Sequence, residues 1–165
     1  MKNIAIIGAG LSGLVAAQQL GSVAHVTIFE KSKGVGGRIA TRRSGLYSFD
    51  HGAQFFTPKT ELFKEFLKPM IIEGHVKRWD GDFVEMINRE ISLKHKWDAS
   101  LPHYVGAPSM NSFAKRLSVG TDIRQNTLVN SIVRKSEYWQ IYDINQRFLG
   151  KYDWVIVSTP PEQAL

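Results

Sequence analysis

The sequence predicts an α/β fold built on a parallel sheet. Three observations carry this. A short apolar run, residues 3–7 (NIAII), leads into a glycine, and a segment of helical period follows over residues 11–20. A β-branched and aromatic run, residues 25–29 (HVTIF), completes strand, helix and strand within the first 30 residues. Such a βαβ unit crosses over with a right hand. Near the other end, WVIVS is again continuous and apolar, as a strand returning to that sheet would be.

Each element has its own reason. NIAII lacks alternation, so it reads as a strand buried on both faces. Leu11, Leu14, Val15, Ala17 and Leu20 recur near helical spacing, and Gly21 ends that helix. Residues 32–60 are rich in Gly, Ser and Thr and read as an extended, ligand-sized loop region. Residues 60–72 predict a helix capped by Thr60, with Pro69 disturbing its far end. Residues 76–91 predict a hairpin turning at Asp80-Gly81-Asp82. Residues 109–119 predict a helix capped by Ser109, with Met110, Phe113, Ala114 and Leu117 as its apolar face. From residue 123 the pattern changes to strands: LVNSIVR, YWQIYDI and RFLGKYDWVIVS, a small antiparallel meander at about 128–150 before the return strand.

Composition excludes several classes. The chain has 165 residues and no cysteine, so disulfide frameworks, thiolate metal sites and cysteine nucleophiles are absent. Its histidines are scattered, without a carboxylate at zinc-type spacing, so no metal is expected. The net charge of +6 permits weak attraction to nucleic acid or anionic membrane. The basic residues are spread out apart from Arg38, Arg42 and Arg43, without a stripe of interleaved aromatics. The expectation is therefore no nucleic-acid partner. The apolar start resembles a signal peptide, but glycines break it at fixed spacing and no cleavage site follows. With no run of ~20 apolar residues either, no membrane partner and a cytoplasmic location are expected.

Gly8, Gly10 and Gly13 form G-x-G-x-x-G between the first strand and the helix. The first glycine permits the tight turn, the second lets backbone approach a pyrophosphate, and the third lets helix and strand pack closely. The helix N-terminus then offers free N–H groups to the phosphates. Glu30 closes the second strand, 17 residues beyond Gly13 and near the roughly 20 expected of a ribose-binding acid. An acid there disfavours a 2′-phosphate. Gly36, Gly37 and Arg38 follow at once. These glycines allow a second backbone stretch near the same cofactor, and Arg38 can offer a forked contact to a phosphate oxygen. A dinucleotide gripped along more of its length than the first motif reaches points to FAD rather than NAD. An NAD-dependent Rossmann dehydrogenase is the less favoured alternative.

In order along the chain, VTIFEKSKGVGGR and FDHGAQFF resemble the flavin-containing amine oxidase superfamily. GGRIATRRSGLYSFDHGAQFFT, YVGAPSMNSFAKRL and YDWVIVSTPPEQAL are most similar to its renalase-type branch. The resemblance implies a Rossmann-like FAD/NAD(P)-binding three-layer fold with a β-meander and a partial α+β substrate-domain insertion. The dinucleotide-binding domain would be residues 1–58 with 105–165, and the insertion residues 59–104.

It also implies a non-covalent FAD and oxidation of a small reduced substrate, with oxygen as acceptor. In the renalase-type branch the substrates are isomeric dihydronicotinamide dinucleotides. By the same resemblance Gly8, Gly10, Leu11, Ser12 and Gly13 would line the pyrophosphate, and Glu30 would hold the ribose with Lys31 beside it. Gly37 and Arg38 would make the second phosphate contact, Val129 would meet adenine through its backbone, and Thr159 with Pro160 would pass near the dinucleotide. Gln54, within DHGAQFF, would face the flavin ring. His51 reads equally as an acid or base and as a turn former, and Phe55 and Phe56 as pocket wall or core. Hydride transfer needs orientation more than a protein base, so the catalytic residue stays unassigned.

Members of that family are roughly twice this length. The shorter chain implies an open flavin site, exposed apolar surface, and self-association or a partner chain. A non-catalytic dinucleotide-binding fragment that works with a partner is the alternative to an enzyme.

Overall fold

A computed structural model describes residues 1–96 and 98–164. In chain order the elements are β1 (Lys2–Ile7), α1 (Leu11–Leu20), β2 (Ala24–Phe29), β3 (Thr41–Ser44), β4 (Tyr47–Asp50), α2 (Glu61–Ile72), β5 (Val76–Arg78), β6 (Asp82–Ile87), β7 (Glu90–Lys96), β8 (Tyr104–Gly106), α3 (Ser112–Ser118), β9 (Asp122–Arg124), β10 (Val129–Arg134), β11 (Trp139–Asp143), β12 (Phe148–Tyr152) and β13 (Trp154–Val157). Short 3-10 turns lie at Gly37–Ile39 and Pro161–Gln163. No helix among the described residues is long and apolar enough to cross a membrane.

Two compact units divide the chain, Met1–Ala40 with Ala114–Leu165 and Thr41–Phe113. The sequence reading set its divisions at 58/59 and 104/105. The structural boundaries lie at 40/41, earlier, and at 113/114, later: β3 and β4 pair with each other, and Asp50 at their base bonds to Met110.

The first unit is a Rossmann-like α/β fold. Its parallel sheet has the order β13-β1-β2-β9. β13 returns beside β1, with Ile4 opposite Trp154 and Ile7 opposite Val157. Asp153 fixes that register, accepting from Lys2 Nζ at 2.9 Å and from the Asn3 N–H at 2.7 Å. The meander β10-β11-β12 covers one face of the sheet, where Ala5, Phe29, Ile141, Leu149 and Tyr152 form one buried cluster. Phe29 and Tyr152 meet edge to face at 5.9 Å. Successive side chains on a strand alternate, so Ile4 and Ile6 point the other way. They are buried there with Leu14 and Ala17 of α1. β9, unforeseen in the sequence, extends the sheet beyond β2 through three paired residues.

The second unit holds three two-stranded ribbons and α2. Thr60 caps α2 as expected, accepting from the Phe63 N–H at 3.3 Å. The helix runs on through Pro69, because a proline so near the end removes only one late N–H. Phe56 is half-buried and packs inward: it stacks on Phe113 and on Tyr104 at 5.9 and 6.2 Å. Phe55 is exposed and contacts Trp79 and His103 instead.

Three sequence expectations need correction. Residues 76–91 are not one hairpin: β5 pairs with β8, and β6 pairs with β7. The tight turn sits at Asn88-Arg89, where φ is 51° and 70°, the left-handed geometry a two-residue hairpin turn requires. Asp80 is instead bound by Arg78 Nε at 2.6 Å, and Gly81 lies against the Trp79 indole. The loop region 32–60 contains the β3–β4 hairpin, whose strands are too short to show a period. Helix α3 starts at Ser112, not Ser109; its four expected apolar residues are all buried.

Candidate dinucleotide site

The site belongs to the first unit and is built where β1 gives way to α1. Gly8 has φ +103°, a conformation that favours glycine, and its N–H donates to Phe29 O at 2.8 Å. Gly13 is demanded by packing: a Cβ there would lie 2.1 Å from Gly8 O and 2.7 Å from Ser158 Oγ. Gly10 is different. Its φ is −73°, open to any residue, and a Cβ would meet nothing within 4 Å. The protein itself has no need of glycine there. What a Cβ would fill is open space beside the first turn of α1.

That first turn is uncapped. No side chain caps it and no acidic residue lies in it. The first intrahelical bond is donated by Leu14 to Gly10 O at 3.0 Å. The N–H groups of Leu11, Ser12 and Gly13 therefore precede the ladder, with the positive end of the helix dipole behind them. This is the anion-binding end expected from the motif.

Glu30 is buried at the end of β2, and both its oxygens are engaged. Oε2 accepts from the Ala9 N–H and Oε1 from the Ser32 N–H, each at 2.8 Å. A carboxylate offers about four acceptor positions, so each oxygen keeps one for a ribose hydroxyl. Glu30 thus braces the glycine loop as well as facing the expected ligand position. Lys31 donates to Gln163 Oε1 at 2.8 Å, tying it to the 3-10 turn after β13.

Gly36 and Gly37 adopt φ +120° and +53°. Their first partner is the other glycine loop: the Gly36 N–H donates to Ala9 O at 2.9 Å, and a Cβ on Gly37 would lie 3.3 Å from Gly10 Cα. The second glycine pair therefore holds the first in shape. Arg38 follows, exposed, with no hydrogen bond or ion pair to its guanidinium among the described residues.

Val129 opens β10 and packs on the core cluster. The chain just before it runs beside Glu30, with the Thr127 N–H donating to Glu30 O at 2.9 Å and the Asn126 N–H to Ser32 O at 3.1 Å. Thr159 follows β13 and lies against Gly8. Its Oγ1 is the one buried side-chain polar atom without a hydrogen-bond partner among the described residues. Of the expected residues, Gly8, Gly10, Gly13, Glu30, Gly37 and Thr159 are brought together, and an orphaned hydroxyl and an unfilled cradle at Gly10 fit a phosphate-bearing ligand.

Sequence reasoning missed two residues. Ser158 Oγ stands 3.0 Å from both Ile7 O and Gly8 O, closing the turn from the β13 side. Ala9 donates to Glu30 and accepts from Gly36 through backbone alone. A lone serine and an alanine carry no sequence signal for such roles. Gln54 lies in the second unit, exposed, in the irregular segment after β4. There Asp50 is the anchor, accepting from the Met110 N–H at 3.1 Å and from Thr41 Oγ1 at 2.6 Å.

Comparison with known proteins agrees with this fold. Residues 6–69 match the family model of the NAD(P)-binding Rossmann-like domain. The 4,4'-diapophytoene desaturase (4,4'-diaponeurosporene-forming) of Staphylococcus haemolyticus (strain JCSC1435) is 38% identical over 84 residues, 50% of this chain and 15% of the desaturase. The same-named enzyme of Staphylococcus aureus (strain Newman) is 50% identical over 51 residues, 30% of this chain and 10% of that protein. The CLA-producing fatty acid isomerase from P. acnes superposes with a TM-score of 0.74 at 14% identity, covering 99% of this chain and 60% of the isomerase. The 2,6-dihydroxypyridine-3-hydroxylase from Arthrobacter nicotinovorans gives 0.60 at 18% identity, covering 93% and 36%. The solved structures establish a shared fold, and the chain spans only part of the length of each of these proteins.

Proposed function

We propose that the first unit binds FAD through its adenine dinucleotide and that the chain serves a flavin-dependent oxidoreductase. The observation that carries this is Gly10, a glycine that neither backbone conformation nor packing requires, placed beside the uncapped N–H groups of α1. In this reading Leu11, Ser12 and Gly13 give their N–H groups to the pyrophosphate. Glu30 accepts from the ribose, Arg38 reaches a phosphate oxygen, Thr159 turns its hydroxyl to the dinucleotide, and Val129 offers backbone to adenine. Bound FAD would supply an acceptor for a hydride from a reduced substrate. The chain's residues bind and orient; none is assigned a proton. A flavin-facing role for Gln54 rests on the resemblance of DHGAQFF alone. A renalase-like choice of dihydronicotinamide dinucleotide isomers, with oxygen as acceptor, is its finer form and rests on the resemblance of GGRIATRRSGLYSFDHGAQFFT.

The test is an absorbance spectrum from roughly 300 to 550 nm after loading with FAD and desalting, with substrate then added anaerobically. A retained flavin band that the substrate bleaches is the expected result. A flat spectrum beside measurable ADP-ribose binding would refute the flavin part and leave dinucleotide binding. A second reading, dinucleotide binding without turnover in company with a partner chain, is favoured by β13. This strand is the open edge of the parallel sheet, with Trp154 64% and Val157 45% exposed. Sedimentation of the purified chain with and without FAD separates the two readings.

A further inference from the structure

We propose that the β3–β4 hairpin is an interfacial element that docks this chain on an anionic lipid surface. The inference goes beyond the cofactor reading and does not rest on it, since the hairpin belongs to the second unit.

Every residue from Arg42 to Phe49 is exposed. Leu46 is 101% exposed, Tyr47 72% and Phe49 55%. A two-stranded ribbon showing three large apolar side chains to water has a cost that covering them would relieve. The register orders them by depth. Gly45, with φ +57°, and Leu46 make the two-residue turn, so Leu46 is the tip. Ser44 pairs with Tyr47, Arg43 with Ser48, and Arg42 with Phe49. Tyr47 and Phe49 share one face with Arg42, their rings 6.4 Å apart. Arg43 stands on the other face. At about 3.4 Å per residue, the arginines lie roughly 7–10 Å behind the tip.

Charge selects the occupant. Asp50 is the hairpin's acid, and it sits at the base, bound by the Met110 N–H and the Thr41 hydroxyl. Arg42 and Arg43 have no ion pair among the described residues. Beyond the base the hairpin is therefore purely basic. Leu46 leads, Tyr47 follows, and Arg43 and then Arg42 level with Phe49 stand behind them; an apolar tip backed by cations and aromatics suits an acyl region bordered by lipid phosphates. A nucleic-acid surface would match the arginines but gives no role to a fully exposed leucine at the tip. The base is held rigid by the Thr41–Asp50–Met110 contacts, so little ordering is needed on docking. Lying on a surface needs no spanning helix, so the lack of one is no obstacle.

The test is co-sedimentation of the full chain with phosphatidylglycerol-containing vesicles and with pure phosphatidylcholine vesicles. The wild type is expected to partition to the anionic vesicles and to be released by salt. Each arginine near an anionic surface strengthens binding roughly fivefold, so Arg42→Ser with Arg43→Ser should lower partitioning by about 25-fold. Leu46→Ser with Tyr47→Ser should lower it severalfold with an unchanged far-UV spectrum. Lys94→Ser with Lys96→Ser, an equal charge loss on β7, should change it little. The proposal is overturned if the wild type binds neither vesicle or both alike, or if the β7 pair lowers binding as much as the arginine pair. Loss of oligonucleotide binding in the arginine variant, with vesicle binding intact, overturns it in favour of nucleic acid.

Discussion

Gly10→Ala separates the fold's needs from the ligand's. A Cβ at this position meets no protein atom within 4 Å, and φ of −73° suits alanine. On the folded chain the change is close to neutral. Reduced freedom of the unfolded chain favours alanine by about 0.4–1 kcal/mol, and the poorer N-cap costs a similar amount. At about 2–4 °C per kcal/mol for a chain of this size, Tm should move by no more than a few degrees. Binding should behave otherwise. A methyl group in the cradle displaces a phosphate from the N–H groups of Leu11 to Gly13. Losing one or two bonds to a charged group, each about 1.5–3 kcal/mol, weakens dinucleotide affinity by a factor on the order of 10 to 10⁴. Calorimetric titration with FAD or ADP-ribose, beside a melting curve, reads both quantities on one sample. Wild-type affinity in this variant would refute the assignment of the cradle. A large fall in Tm would show that the glycine serves the fold after all.

Two more outcomes follow from single contacts. Thr159→Val replaces a buried, unpartnered hydroxyl by a methyl group of like shape; removing that desolvated group should raise the apo Tm by a few degrees, on the order of 1 kcal/mol, while weakening dinucleotide binding, and a fall in Tm would show that the hydroxyl already has a partner. The Lys2 hydrogen bond, and then the Asn3 N–H, hold the Asp153 carboxyl below its ordinary range. A depressed carboxylate contributes stability that is present above its unfolded value, about 3.9, and is lost as pH falls through the lower folded value. The Tm gap between wild type and Asp153→Asn should therefore be widest near neutrality and close in acid; a gap constant from neutral pH down to about 2 would refute the linkage.

Local signals made the first unit legible. G-x-G-x-x-G lies between two continuous apolar runs, and its spacing alone marks the turn from strand to helix. The return of WVIVS to β1 was visible because buried parallel strands lack alternation. What escaped was set by distant partners. Val76–Arg78 looks like half of a local hairpin, but its partner is Tyr104–Gly106. β9 has three residues, too few for any period. Gly36 and Gly37 were legible as special backbone, yet their role as a brace for Ala9 and Gly10 needs the fold. Ser158 bonds to carbonyls about 150 residues away in sequence, and no window on the chain contains both.

Glu30 shows why the brace matters to the site. A ribose acid need only point at the ligand, and its loss would then lower affinity alone. Here the carboxylate also accepts from Ala9 and Ser32, both at 2.8 Å, from a buried position. Glutamine cannot satisfy that geometry: one end of its amide carries hydrogens, so an N–H would face either the Ala9 or the Ser32 N–H. One charge-assisted bond is lost, about 1.5–3 kcal/mol, and a donor is left without a partner. Glu30→Gln should therefore lower the apo Tm by roughly 5–10 °C, besides weakening dinucleotide binding. Ser32→Pro is no substitute test, since it also restricts the backbone. An unchanged apo Tm with reduced affinity would reduce Glu30 to a ligand contact. A lowered Tm would mean that the proposed ribose acid also sets the shape of the glycine loop proposed to meet the phosphates, so the two proposed contacts would belong to one connected structure.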